Sequence, residues 1–135
     1  MFVNMLIAYK SDLRCHATIG PWSQCIETDA PAGRGRAECA SPVDLVAAGL
    51  SSCILTTMGM AAQAHGVDLS GARAHVQHEM SSAPRRISQV SVRIKLPTGL
   101  TPDKSVLLHH AAATCPVTAS FCADTKIDVA FVNQL

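Results

Sequence analysis

The residues of this chain best suited to do chemistry are its six cysteines, Cys15, Cys25, Cys39, Cys53, Cys115 and Cys122. A thiolate is both a nucleophile and a reductant, so the question is which cysteine stands where that charge is stable. Cys115 directly precedes Pro116, and proline suits the first position of a helix, which predicts Cys115 at or near an N-cap. The partial positive charge of a helix N-terminus favours the thiolate. Cys53 lies inside a long apolar stretch. No helix-terminal dipole reaches it there, and packing as a small apolar side chain is the simpler use of such a cysteine. Cys122 follows Cys115 by seven residues. On one continuous helix the two would share a face about 10 Å apart along the axis, so Cys122 reads as packing. Cys15 and Cys25 fall in predicted strands and Cys39 in a loop, and packing is the simpler reading for these too.

Other chemistries find little support. No C-x-x-C occurs, which removes the zinc-ribbon and thioredoxin-type patterns. His75 and His78 have odd spacing and point to opposite faces of a strand. His109 and His110 diverge by about 100° on a helix, and Cys15–His16 diverges in a strand. No metal site and no cofactor are therefore expected. Glycine-rich phosphate loops and the G-x-S-x-G nucleophile pattern are absent. Eleven Lys and Arg against ten Asp and Glu give a net charge of +1, too weak a field to favour a polyanion, so nucleic acid is not expected as a partner. The six cysteines could form three disulfides. Against that, the chain is long enough to build a core without covalent staples, and its start carries no secretory pattern. Both points predict free thiols in a reducing, cytoplasmic compartment.

The 135 residues suit one domain, 1–135. With 48% hydrophobic and 16% charged residues, the chain is more apolar than a typical soluble domain, which suggests that another subunit covers part of its surface. Strands are predicted over 2–9, 13–19 and 23–28, then a flexible Gly/Pro/Arg-rich loop over 29–40. Ser41 is the N-cap of a helix, Pro42 its first residue and Asp44 its capping-box partner. That helix runs to about His65, with Gly66 as its stop. It is apolar on nearly every side, which implies burial all round. Leu45 to Ala62, eighteen residues, carries no charge and meets the lower length limit for a membrane span. Ser51, Ser52, Thr56 and Thr57, with no Lys or Arg clustered at either end, favour a buried helix instead, and no membrane partner is expected. Strands follow over 72–80 and 86–96, with a bulge near Ser88–Gln89. A second helix runs from Thr101 to about Thr114, Pro116 restarts a helix to 123, and a strand over 126–132 closes the chain. The hairpin of successive strands makes the class α+β.

Two segments together resemble the OsmC/Ohr family. Ser41-Pro-Val-Asp-Leu-Val-Ala-Ala-Gly-Leu-Ser-Ser-Cys53 is similar to the family's first cysteine helix, and Ala113-Thr-Cys115-Pro-Val-Thr-Ala-Ser to its second signature. Pro84-Arg-Arg-Ile87 and its hairpin fit between them. The resemblance spans roughly residues 10–133, and sixty-two residues separate the two cysteines.

The resemblance implies an intertwined homodimer in which antiparallel sheets wrap long central helices. It implies reduction of organic hydroperoxides by a cysteine pair: Cys53 attacks and becomes a sulfenic acid, and Cys115 resolves it to a disulfide. A dithiol, of lipoyl type in some members, then restores both thiols. The family's peroxidases carry a Glu one residue after the helix-opening Pro, and that Glu orients an Arg beside the reactive thiol. Val43 stands at that position here, with Asp44 and Glu38 the nearby acids. Arg14, Arg34 and Arg36 stand where the arginine would come from, Arg36 and Arg14 first among them. Aliphatic, weakly charged surroundings favour small apolar organic hydroperoxides as substrates. The rival reading keeps the fold but gives a non-catalytic dimer that binds a hydrophobic small molecule or senses redox state through its cysteines.

Overall fold

The computed structural model describes residues 2–135. The chain divides into two compact units, one ending at Leu45 and one running Val46–Leu135.

In the first unit, β1 (Met5–Tyr9), β2 (Cys15–Ile19) and β3 (Gln24–Thr28) form an antiparallel meander in the order β1-β2-β3. Each strand is shorter than its hydrophobic run. Asp12, Leu13 and Ser23 take left-handed backbone angles, φ 51°, 65° and 51°, which turn the chain out of the ladder before β2 and β3.

The loop over 29–40 is built around a buried carboxylate. Asp29 is fully buried. It accepts the N–H groups of Ala30 at 2.8 Å and Glu38 at 3.2 Å, and it faces the Arg14 guanidinium at 3.5 Å. Gly35 is pressed against it. A Cβ there would stand 2.5 Å from Asp29 Oδ1 and 2.9 Å from the Ala30 carbonyl oxygen, so no larger residue fits without moving the loop.

Burial alone would push the Asp29 carboxyl up. The N–H groups of Glu38 and Ala30, with Arg14, outweigh it and hold the group below its ordinary value of 3.8. The unfolded chain therefore takes up the proton first on acidification. The stability this carboxylate provides is complete above about pH 3.8 and is lost as the pH falls through the lower, folded value. Urea midpoints are expected to drop on acidification below about pH 4. Asp29→Asn is expected to be less stable at neutral pH and to lose less in acid.

Helix α1 (Pro42–Ala64) opens as the sequence predicts. Ser41 Oγ accepts the Asp44 N–H at 3.2 Å while Asp44 Oδ2 accepts the Ser41 N–H at 2.8 Å, a reciprocal capping box with Asp in the usual Glu position. It closes at Gly66, φ 62°, where the Val67 N–H reaches the Ala62 carbonyl at 2.8 Å and the Gly66 N–H that of Gln63 at 3.3 Å, a Schellman ending.

In the second unit, β4 (Arg73–Ser82) and β5 (Arg85–Lys95) form the expected antiparallel hairpin. The bulge falls at Ser88: Glu79 pairs with Gln89 and Met80 with Ile87, and Ser88 Oγ bonds the Glu79 carbonyl. After α2 (Pro102–Ala112) and α3 (Pro116–Ala119), β6 (Lys126–Phe131) returns beside β5. That last pairing is parallel, because the two helices carry the chain back across the sheet.

The core joins three elements of this unit: Leu50, Ile54 and Met58 of α1, Val90, Val92 and Ile94 of β5, and Leu108 and Ala112 of α2. The expectation that α1 is buried all round is not met within one chain. Its buried residues lie on one face, while Val46 is 44% and Met60 60% exposed. By length and composition α1 could cross a membrane, but its Leu50–Ile54–Met58 face is packed in this core.

Candidate active site

Cys53 sits midway along α1, partly exposed. The turn that carries it is fixed from both sides. Ile54 beside it is fully buried, and Thr57 Oγ1 donates to the Cys53 carbonyl at 2.9 Å.

Cys115 is buried and is the N-cap of α3, with φ −60° and ψ 120°. Proline explains both ends of this junction. Pro116 disfavours a helical Cys115, so α2 stops at Ala112, Cys115 turns extended, and the helix restarts with Pro116 in its first turn.

Cys53 packs against the buried cluster that includes Cys115, and neither cysteine is in a disulfide. Burial pushes the Cys115 thiol up. The Thr118 N–H and hydroxyl, the Cys53 thiol and the Val117 N–H overcome this and leave it lowered. The N-cap expectation for Cys115 thus has its physical basis, although the sulfur makes no close cap hydrogen bond.

Cys122 corrects the packing expectation. Helix α3 ends at Ala119, not 123. Ser120 Oγ donates back to the Pro116 carbonyl at 2.9 Å, and residues 122–125 form a turn closed by the Thr125 N–H on the Cys122 carbonyl at 3.0 Å. With no continuous helix, the shared face never arises. Cys122 is exposed, and the Thr125 hydroxyl, ahead of the nearby backbone N–H groups and Arg86, lowers its thiol.

Of the three candidate arginines, Arg14 and Arg36 are paired within the first unit. Arg14, just before β2, meets Glu38 and the buried Asp29. Arg36 meets Asp12 at 3.2 Å with both side chains about 60% exposed, a pair of little energetic weight. Of the two acids near Val43, Glu38 takes Arg14, and Asp44 takes the Ser41 cap.

Two residues now stand out that the motif reading did not single out. Asp29 organises the loop that holds Arg14, and its cue was a lone acid ending a strand run before Pro31. Thr118 adjoins Cys115, and its cue was a hydroxyl three residues past an N-cap. Among the described residues, no group of three His, Cys, Asp or Glu side chains is placed to hold a metal ion.

The family model described as OsmC-like protein matches residues 35–130. This chain belongs to the OsmC-like family. A solved structure from Psychrobacter arcticus, described as an osmotic stress induced and detoxification response protein, is 34% identical to this OsmC-like chain with a TM-score of 0.89, covering 95% of this chain and 94% of that one. An OsmC-like protein from Mycoplasma pneumoniae is 17% identical with a TM-score of 0.83, covering 98% and 96%. An organic hydroperoxide resistance protein from Elizabethkingia anophelis is 15% identical with a TM-score of 0.77, covering 99% and 97%. At those two lower identities the likeness is one of fold. No curated protein matches the chain.

The α+β class expected from the sequence is the OsmC-like architecture, with two three-stranded sheets and a long first helix. A cleft of about 460 Å³ opens between the end of β5, the 97–100 loop and α2, beside stacked His109 and Phe131. Its lining includes neither Cys53 nor Cys115.

Proposed function

We propose that this OsmC-like protein reduces small organic hydroperoxides with Cys53 and Cys115 as its redox couple. The observation that carries the reading is a partly exposed thiol packed against the cluster that holds a buried, acidified one. Each suits a different step.

A hydroperoxide reaches Cys53 more readily than buried Cys115. The Cys53 sulfur attacks the terminal peroxide oxygen, the O–O bond breaks, and with one proton the alcohol leaves, which makes Cys53 a sulfenic acid. The Cys115 thiolate then attacks that sulfur. The S–O bond breaks, water leaves with a second proton, and the Cys53–Cys115 disulfide forms. A dithiol, of lipoyl type in a reducing cytoplasm, returns two electrons and reopens the bond.

Arg14 is the better of the two paired arginine candidates. It is held by a buried carboxylate and by Glu38, whereas the Arg36–Asp12 pair is exposed. Glu38 then takes over the partnership that the family's peroxidases assign to the residue at the Val43 position.

The working unit is an intertwined homodimer. Support comes from apolar surface that a single chain leaves open: Met5, Leu6, Ile7 and Tyr9 along β1, Trp22, and Met60 on α1 are each more than half exposed, more than an isolated soluble chain ordinarily shows.

Stopped-flow mixing of reduced protein with cumene hydroperoxide, followed by titration of remaining thiols, tests the reading. The expected result is rapid loss of both pair thiols with release of the alcohol. Oxidation no faster than that of an ordinary free thiol overturns it and leaves a non-catalytic dimer.

A further inference from the structure

The Thr118 hydroxyl is buried and makes no hydrogen bond within the distance and angle of an ordinary one. Leaving a buried donor unsatisfied is costly, and native structures rarely do so without a reason. Thr118 is the third residue of the short helix that Cys115 caps, and the acceptor its hydroxyl acts on is the Cys115 sulfur. A thiol sulfur is a weak acceptor, but a thiolate is a strong one. The donor is therefore satisfied in one ionisation state of the pair.

The surroundings point the same way. The Cys53 thiol, the ionisable group facing Cys115 from α1, can donate to Cys115 and so leave the charge there. The Val117 and Thr118 N–H groups face the same atom. The side chains that share this core on α1 and α2, Leu50, Ile54, Leu108 and Ala112, carry no charge.

We infer that Thr118 is a positioning residue of the thiol pair: its hydroxyl donates to the Cys115 sulfur, fixes the negative charge there, and makes Cys115 the thiolate expelled when a dithiol reopens the disulfide. The inference rests on the proposed couple and adds the direction in which it is reduced. One reductant thiolate attacks the Cys53 sulfur, the more exposed of the two, and a reductant–Cys53 bond forms. The Cys53–Cys115 bond breaks, and its electron pair leaves on Cys115, where the Thr118 O–H receives it. The second reductant thiol then displaces Cys53 from the mixed disulfide, which leaves the reductant oxidised and both cysteines reduced. Exchange is faster when the more acidic thiol leaves.

Two readouts on the full-length protein test this. The first is the pH titration of the Cys115 ¹³Cβ shift in cysteine-labelled protein, assigned with Cys115→Ser. Thr118→Val, which keeps the shape and removes the hydroxyl, is expected to raise the Cys115 midpoint by about one pH unit, and Thr118→Ser to restore it. The second is the rate at which dithiothreitol opens the disulfide made with diamide. Thr118→Val is expected to slow it several-fold, with Thr118→Ser close to the parent.

Neither readout needs hydroperoxide turnover, so a failure of the peroxidase reading is seen separately. A Cys115 midpoint unmoved in Thr118→Val, an equal shift in Thr118→Ser, or a mixed disulfide trapped on Cys115 instead of Cys53 overturns the inference.

Discussion

Cys53→Ser is expected to abolish hydroperoxide consumption, whereas Cys115→Ser is expected to keep the first oxidation and lose the second. The two variants should differ in kind. Without the Cys53 sulfur there is no atom to accept the peroxide oxygen, and loss of a nucleophile costs on the order of a thousandfold or more in rate. Without Cys115, Cys53 still reacts once, but its sulfenic acid finds no resolving thiolate. It should persist long enough to be trapped by dimedone and should advance to the irreversible sulfinic acid under excess peroxide. Catalytic assays with a dithiol and mass spectrometry of the Cys53 peptide read the two outcomes separately. Equal residual activity in both variants would mean that the thiols are not divided in this way.

The largest expected loss of stability comes from the residue next to the candidate nucleophile. Ile54 is fully buried among Leu50, Met58, Val90, Val92, Ile94 and Leu108. It ties the Cys53 turn of α1 to the central strand of the second sheet. Ile54→Ala removes its outer carbon atoms from a core that draws on three elements and is free to collapse from none of them. The expected cost is about 2–5 kcal/mol, against a total of about 5–15 kcal/mol for a typical domain. Urea denaturation followed by far-UV circular dichroism should show the midpoint falling with little change in slope. Met60→Ala, on the exposed side of the same helix in a single chain, should cost the isolated chain far less. A large loss at Met60 that depends on protein concentration would instead report a second copy packed on that face.

Local chemistry explains most of what the sequence makes legible. The start of α1 could be read because a capping box is written in four consecutive residues, Ser41 to Asp44, and its end because Gly66 can take the left-handed angle that closes it. The Cys115 N-cap follows from one proline. The Ser88 bulge shows as a break in the alternation of β5.

What the sequence leaves out depends on partners distant along the chain. The parallel pairing of β6 needs the path of α2 and α3. Arg14 and Glu38 stand twenty-four residues apart, and the buried carboxylate between them has no local signature. Composition alone favours helical continuity past Ala119, but the Ser120 hydroxyl and the 122–125 turn stop it and leave Cys122 exposed. The packing of Cys53 against the cluster that holds Cys115 is likewise tertiary, which the family resemblance could suggest but the spacing of the residues could not.

The most direct measurement is the disulfide itself. Reduced protein is treated with one equivalent of cumene hydroperoxide, quenched with an alkylating agent, digested without reductant and read by mass spectrometry. The expected product is a single cross-link joining the Cys53 and Cys115 peptides, with Cys15, Cys25, Cys39 and Cys122 alkylated. Oxidation scattered over the cysteines, or a bond from Cys115 to Cys122 with Cys53 still alkylated, would contradict the claim that Cys53 and Cys115 form the redox couple.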